Sequence, residues 1–365
     1  MRNTLLALAL ASVFNSVVAR EASFYGVADM YIAINNDSGH ISTDVQSGGT
    51  NASLIGLEGK ETLSSDLSAI FRLEAGVLMD DGTSAPPGGG SGYLFQRESW
   101  VGLDSQTWGR LTFGRQYTPH FMTLILSDPS YMSMGSAIGS YCWPGTDSLL
   151  GGAYTMSDNA RRDNSILYTS PSFGGWKIEL FGAFGENKTA TGYASSTLGN
   201  AYNVALKYRP SQWMLRTSVF IEQLSKAPEI REKDTYWTTG LRWNGTWTQP
   251  SLLFVKKFSR DTATSPDVWA LQLATSTPLG SGTLLTSVAM LKNESVSHAD
   301  AVSYGIRYDY PLSQRTKVYV GLAGVQNESA SSKVMVPGAG SSAPFAIDAV
   351  GNDQQQLFMG VSHRF

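Results

Sequence analysis

The segment Trp176-Lys177-Ile178-Glu179-Leu180-Phe181-Gly182-Ala183-Phe184 decides the fold class. Trp176, Ile178, Leu180, Gly182 and Phe184 occupy every second position, with Lys177, Glu179, Phe181 and Ala183 between them. Strand side chains point alternately to two faces, so this spacing predicts one apolar and one mixed face. Residues 202–208 repeat the pattern, with Tyr202, Val204, Leu206 and Tyr208 against Asn203, Ala205 and Lys207. Residues 213–222 do so again, with Trp213, Leu215, Thr217, Val219 and Ile221 on one face. The segments 237–243, 269–275, 284–290, 304–310 and 318–322 read the same way. Rings close several of these apolar faces: Trp176 and Phe184, Tyr202 and Tyr208, Trp237 and Trp243, Tyr304 and Tyr310. Aromatic ends suit the two membrane–water interfaces, whereas a soluble sandwich keeps its large rings mid-strand in the core.

A strand can cross lipid only in a closed sheet, because every backbone group there must pair within the protein. No apolar run reaches the roughly 18 residues of a helical span. Roughly sixteen strand candidates suit a barrel with a channel-sized lumen. Short turns such as Arg209-Pro210-Ser211-Gln212 and Pro311-Leu312-Ser313-Gln314 contrast with long polar stretches at 80–92 and 329–353, as periplasmic turns contrast with external loops. The expected fold is all-β, an antiparallel transmembrane β-barrel.

The chain opens on Arg2, an apolar stretch from Leu5 to Phe14, and Val17-Val18-Ala19. That order describes a secretory signal peptide over residues 1–19, followed by one barrel domain over 20–365. The formal net charge of −3 argues against a nucleic-acid partner. Cys142 stands alone, so disulfides do not hold the fold.

One stretch, roughly Thr118 to Arg161, is too long for an ordinary hairpin loop. It carries Tyr131, Met132, Met134, Tyr141 and Trp143, and so much apolar surface must pack on something. The inside wall of a wide barrel is available, and the stretch is expected to fold inward and narrow the lumen. In residues 66–77 the positions Leu67, Ala69, Phe71, Leu73, Ala75 and Val77 share the outer face, which turns Asp66, Arg72 and Glu74 inward. An Arg or Lys at mid-depth on a lipid face costs about 2–4 kcal/mol, so the lumen is the cheaper side. Around Arg97 and Arg115 the alternation leaves both faces open, as it does for Arg161 and Arg162.

Enzymatic chemistry has no visible seat. His40, His120, His298 and His363 sit beside no nucleophile motif, and neither a phosphate loop nor metal-ligand spacing occurs, so no cofactor or metal is expected.

Several ordered motifs then resemble a family. They are Phe24-Tyr25-Gly26-Val27-Ala28-Asp29, Gly56-Leu57-Glu58-Gly59-Lys60-Glu61, Ala69-Ile70-Phe71-Arg72-Leu73-Glu74 and Val101-Gly102-Leu103. Gly109-Arg110-Leu111-Thr112-Phe113-Gly114-Arg115-Gln116, then residues 162–171 with Ile166-Leu167-Tyr168-Thr169, and the terminal His363-Arg364-Phe365 complete the set. Together they resemble the general porins of Gram-negative outer membranes, particularly the beta-proteobacterial branch. The resemblance implies a sixteen-stranded barrel whose third loop bends into the lumen, a homotrimer, and passive diffusion of ions and small hydrophilic solutes. It also implies outer-membrane lipid, lipopolysaccharide and the barrel-assembly machinery as partners, with Phe365 as the assembly signal. The constriction it implies is formed by Arg72, Glu74, Arg97, Arg115, Arg161 and Arg162, with Asp128 as an acid of the loop. Leu54 stands where relatives carry another arginine, so anion selectivity is expected to be weak.

Overall fold

The computed structural model describes residues 20–84, 94–142, 148–149, 157–185, 199–227, 230–259, 266–335 and 349–365. The expected signal segment 1–19 and Trp143 lie outside the described residues. The order begins with β1 (Arg20–Asp37), β2 (His40–Ser47), β3 (Leu54–Thr62), β4 (Leu67–Gly76), β5 (Glu98–Ser105) and β6 (Gly109–Tyr117). The long loop follows, with helix α1 (Pro119–Ser127), a 3-10 turn (Ile138–Tyr141) and the short helix α2 (Ser157–Ala160). Then come β7 (Arg161–Thr169), β8 (Trp176–Ala183), β9 (Ala201–Tyr208), β10 (Trp213–Ala227), β11 (Ile230–Trp243) and β12 (Gln249–Ser259). The chain ends on β13 (Val268–Leu279), β14 (Gly282–Asn293), β15 (Ala301–Pro311), β16 (Thr316–Asn327) and β17 (Gln354–Arg364).

All neighbours pair antiparallel, and β1 closes the sheet against β17, with Val27 opposite Arg364 and Asp37 opposite Gln354. Seventeen strand segments give sixteen wall positions, because β2 and β3 are two halves of one crossing. The upper half of β1 pairs with β2, from Asp37↔His40 to Met30↔Ser47. Its lower half pairs with β3, from Val27↔Leu54 to Arg20↔Glu61. The break between them is held by Asp29, which accepts from the Gly49, Thr50 and Asn51 amides at 2.9, 3.2 and 3.0 Å. The Tyr319 hydroxyl, from across the β1–β17 seam, donates to the same carboxylate at 2.6 Å. Successive amides aimed at one anion form a backbone nest, which here satisfies donors that the interrupted ladder leaves over.

The predicted lipid faces are the exposed ones. Ile178, Leu180, Val204, Val219, Leu357, Met359 and Val361 are exposed, while their in-between neighbours turn inward. At the short-turn rim Trp176 stacks on Tyr208 with centroids 4.1 Å apart, and Trp213 lies beside Trp243.

The apolar core lies inside the barrel, between the wall and the long loop. Leu124, Met134, Ile138 and Tyr141 of the loop are buried against Leu253, Val255, Ala289, Leu291 and Phe358. The loop carries secondary structure of its own. Thr118 accepts from the Phe121 amide at 3.2 Å, and Pro119 opens α1, so a capped helix forms where periodicity alone showed none. That helix packs on β9, β10, β11 and β12, and the 3-10 turn packs on β13 and β14.

Candidate constriction of the pore

Opposite the apolar half of the wall, β3 to β7 present charge. By register Glu58 faces Arg72 and Glu74 faces Glu98 across adjacent strands. Arg72 donates to Glu58 at 2.6 Å and to Glu98 at 3.2 Å, and its guanidinium lies 5.8 Å from the Trp100 ring centre. One residue before β5, Arg97 folds back onto Glu74 with Nε at 2.5 Å from Oε1. Glu74 also accepts from the Tyr25 hydroxyl at 3.0 Å. The other end of Arg97 donates through Nη2 to the Tyr117 hydroxyl at 2.8 Å.

Tyr117 is the last residue of β6, and register places it opposite Arg161, the first of β7. Arg161 Nη2 donates to the same hydroxyl, and its guanidinium lies 4.2 Å over the ring centre. Arg97 and Arg161 therefore meet on one phenol oxygen. Arg161 makes no ion pair with a carboxylate among the described residues, and its Nε has no hydrogen-bond partner. Arg162 instead pairs with Glu222 of β10 and with Asn159 at the end of the loop.

Arg115 is held by a different set. A bulge between Gly114 and Gln116 shifts the β6–β7 register there, with Gly114 at φ +129°. Such a bulge re-aims its side chain. Arg115 donates to the Gln96 carbonyl at 2.6 Å and to Asp163 at 2.8 Å.

Asp128 is placed otherwise than expected. Instead of facing the arginines it is 0% exposed, at the seam of loop and wall. It accepts from the Met132 amide at 2.8 Å, Ser136 Oγ at 2.6 Å and Gln272 Nε2 at 3.1 Å. A short carboxylate directly after a helix is well suited to bind the next turn of chain, and this one is fully used there.

The residues that make the arginines into a group carry little signal in the sequence. Tyr117 and Tyr25 are uncharged, Glu98 adjoins Arg97 but pairs with Arg72, and Glu222 is sixty residues from Arg162. Glu58 was legible in principle, since it faces Arg72 in a simple hairpin register. His120, which the sequence left without a role, is a buried joint of loop and wall. Its Nε2 donates to the Leu149 carbonyl at 3.2 Å, and its Nδ1 accepts from Thr238 Oγ1 at 3.0 Å. Burial pushes its pKa down to about 4, so the imidazole is neutral.

A sixteen-position closed barrel with an inward loop and a charged wall facing it is a channel architecture. The family model described as Gram-negative porin matches residues 4–330. The chain belongs to the Gram-negative porins. It is thus an outer-membrane protein with a water-filled passage for passive diffusion of ions and small hydrophilic solutes, and a channel rather than an enzyme. Outer membrane porin protein 32 of Delftia acidovorans is 28% identical to this porin over 337 residues, covering 91% of each chain. An outer membrane porin protein of Bordetella pertussis is 30% identical over 231 residues, which cover 57% of this porin and 56% of that one. Among solved structures, an anion-selective porin from Comamonas acidovorans superposes with a TM-score of 0.80 at 24% identity, over 95% of this porin and all of that chain. A trimeric form of OmpT from Vibrio cholerae gives 0.65 at 13% identity, over 95% of this porin and all of that chain.

At the C-terminus, Phe365 exchanges backbone hydrogen bonds with Gly26 at 3.0 and 3.1 Å. Its ring lies over Gly26, where an added Cβ would come within 2.3 Å of it.

Proposed function

We propose that this porin favours anions weakly, and that Arg97 and Arg161, joined on Tyr117, form the selective part of its constriction. The observation that carries this reading is that Arg161 makes no carboxylate ion pair among the described residues, with Glu74, already paired to Arg97, as its more distant counter-charge. Around it, Arg97, Arg115 and Arg162 each have a carboxylate partner, and Arg72 has two. The β3–β7 part of the wall is thus locally positive at its Tyr117 end. Glu58, Glu74, Glu98, Asp163 and Glu222 balance the five arginines in number, so the positive charge is a local one at the Tyr117 end, and in a confined passage it raises local anion concentration without excluding cations. Leu54, buried in β3, adds no charge of its own. Arg72, Glu74, Arg115 and Arg162 set the surrounding field, and Asp128 serves as an anchor of the loop.

The reading extends to assembly. The porin works as a homotrimer in outer-membrane lipid and lipopolysaccharide, after removal of the signal segment 1–19, and Phe365 is the signal for the barrel-assembly machinery. In support, a shallow apolar groove of about 490 Å3 lies on the outside of β1, β15, β16 and β17, lined by Met30, Ile32, Tyr310, Val320, Met359 and Val361. The trimeric form of the Vibrio cholerae neighbour points the same way.

The reversal potential in a potassium chloride gradient across a planar bilayer tests the selectivity. A unit charge about 6 Å from the ion path acts on an anion with roughly 0.7 kcal/mol at the dielectric of water, and salt near 0.1 M screens this to about half. Because the sign reverses for the cation, Arg161→Gln is expected to lower the chloride-to-potassium permeability ratio roughly three- to fourfold. An unchanged ratio refutes the assignment.

A further inference from the structure

We propose that Tyr117 is the positioning residue of the constriction, coupling the seat of the long loop to the placement of Arg97 and Arg161. The proposal rests on the reading of those arginines given above. Two like charges do not share one place unless something between them offsets their repulsion. The Tyr117 oxygen has two acceptor sites, and both arginines donate to it, Arg97 at 2.8 Å. Glu74 holds the other edge of Arg97, and the phenol is the hydrogen-bond acceptor that both guanidinium ions share. Arg161 depends on it most, since its Nε is without a partner and it has no ion pair among the described residues.

The ring of Tyr117 has a second contact. Phe121, in the first turn of α1, stacks on it with centroids 5.2 Å apart and planes 11° from parallel. The root of the loop is closed at the same point. The Thr118 amide donates to the Ala160 carbonyl at 3.0 Å, and its hydroxyl donates to the Asn159 carbonyl at 2.6 Å. A loop that shifts at its root moves Phe121, then the ring, and with it the oxygen on which both arginines rest. A phenylalanine would serve the packing equally well. The hydroxyl is needed only for the arginines.

The test is a cycle of Tyr117→Phe, Arg161→Gln and the double variant, each shown by heat-modifiable gel mobility to be a folded barrel and each read by reversal potential. Tyr117→Phe keeps the ring and removes the shared acceptor, and is expected to lower the chloride-to-potassium ratio about twofold. The double variant is expected to fall well short of the sum of the two single shifts, because the hydroxyl acts mainly through Arg161 while Glu74 still holds Arg97. A wild-type ratio in Tyr117→Phe beside a shifted Arg161→Gln overturns the coupling and leaves the constriction reading intact. Shifts that add in the double variant also overturn it. An unshifted Arg161→Gln removes the constriction reading and this inference together. Should Tyr117→Phe fail to fold, Phe121→Leu loosens the ring without touching either arginine. It is expected to lower the ratio by less than twofold with a noisier open channel, and an unchanged ratio and noise overturn the proposal.

Discussion

Replacing Gly305 by alanine tests whether the long loop is seated by close backbone contact with the wall. Gly305 lies in β15, facing inward, and a Cβ built there falls 2.1 Å from the Gly135 carbonyl oxygen and 2.6 Å from its carbon. Ordinary contact begins at 3.4 Å, so the loop must retreat into the lumen by 1.3 Å, the difference of the two distances. Backbone cannot rotate away as a side chain can. The loop is tied here by Arg307 to Ser133 Oγ at 2.8 Å and the Met134 carbonyl at 2.5 Å, and by Ser303 to the Ala137 carbonyl at 2.8 Å. The Ile138 amide donates to Gln272 at 2.7 Å and the Ala137 amide to Ser287 at 3.0 Å. A retreat of that size stretches these bonds beyond hydrogen-bonding range, and overpacking of this kind costs about 1–3 kcal/mol. The control is Gly182→Ala in β8, where an added Cβ meets nothing within 4 Å. The assays are the midpoint of heat-modifiable gel mobility and the single-channel conductance. Gly305→Ala is expected to lower the midpoint and to give smaller, noisier steps, while Gly182→Ala changes neither. If the two variants behave alike, the loop is not held by this contact.

Two further outcomes follow from the seating of the loop. Asp128→Asn weakens the bonds to Met132, Ser136 and Gln272, so the unfolding midpoint should fall, by roughly 1–2 kcal/mol of stability, at unchanged ion selectivity. A selectivity shift with unaltered stability would return Asp128 to the pore. His120 is held down to about 4 in the folded protein against an ordinary 6.5, so the unfolded chain binds its proton first as pH falls. The protein thus loses stability between about pH 6.5 and 4, by at most roughly 3 kcal/mol from this group, and no further below. His120→Gln should flatten the melting temperature in that window relative to wild type, and parallel curves would show that the imidazole does not titrate there.

Much of the lipid-facing side of this porin's wall was legible in the sequence. The lipid faces of β8, β9 and β10 are the alternate positions read from the sequence, because a side chain's face on a strand depends only on parity. The same parity placed Arg72 and Glu74 inward. It had no answer for Arg97, which precedes its strand, or for Arg115, where the bulge at Gly114 breaks the period. The apolar content of residues 118–161 showed that the stretch must pack inside, but the capped helix α1 and the burial of Asp128 depend on what it packs against.

The sequence by itself pointed to an all-β membrane barrel, through parity, aromatic ends and the need to pair every backbone group in lipid, and the apolar content of residues 118–161 pointed to an inward loop. Only the tertiary structure decided which charges share a site. Arg97, Tyr117 and Arg161 are far apart along the chain and meet where a strand end, a loop root and the next strand converge. Such a meeting is fixed by closure of the sheet and by the docking of the loop. Neither is a local property of sequence.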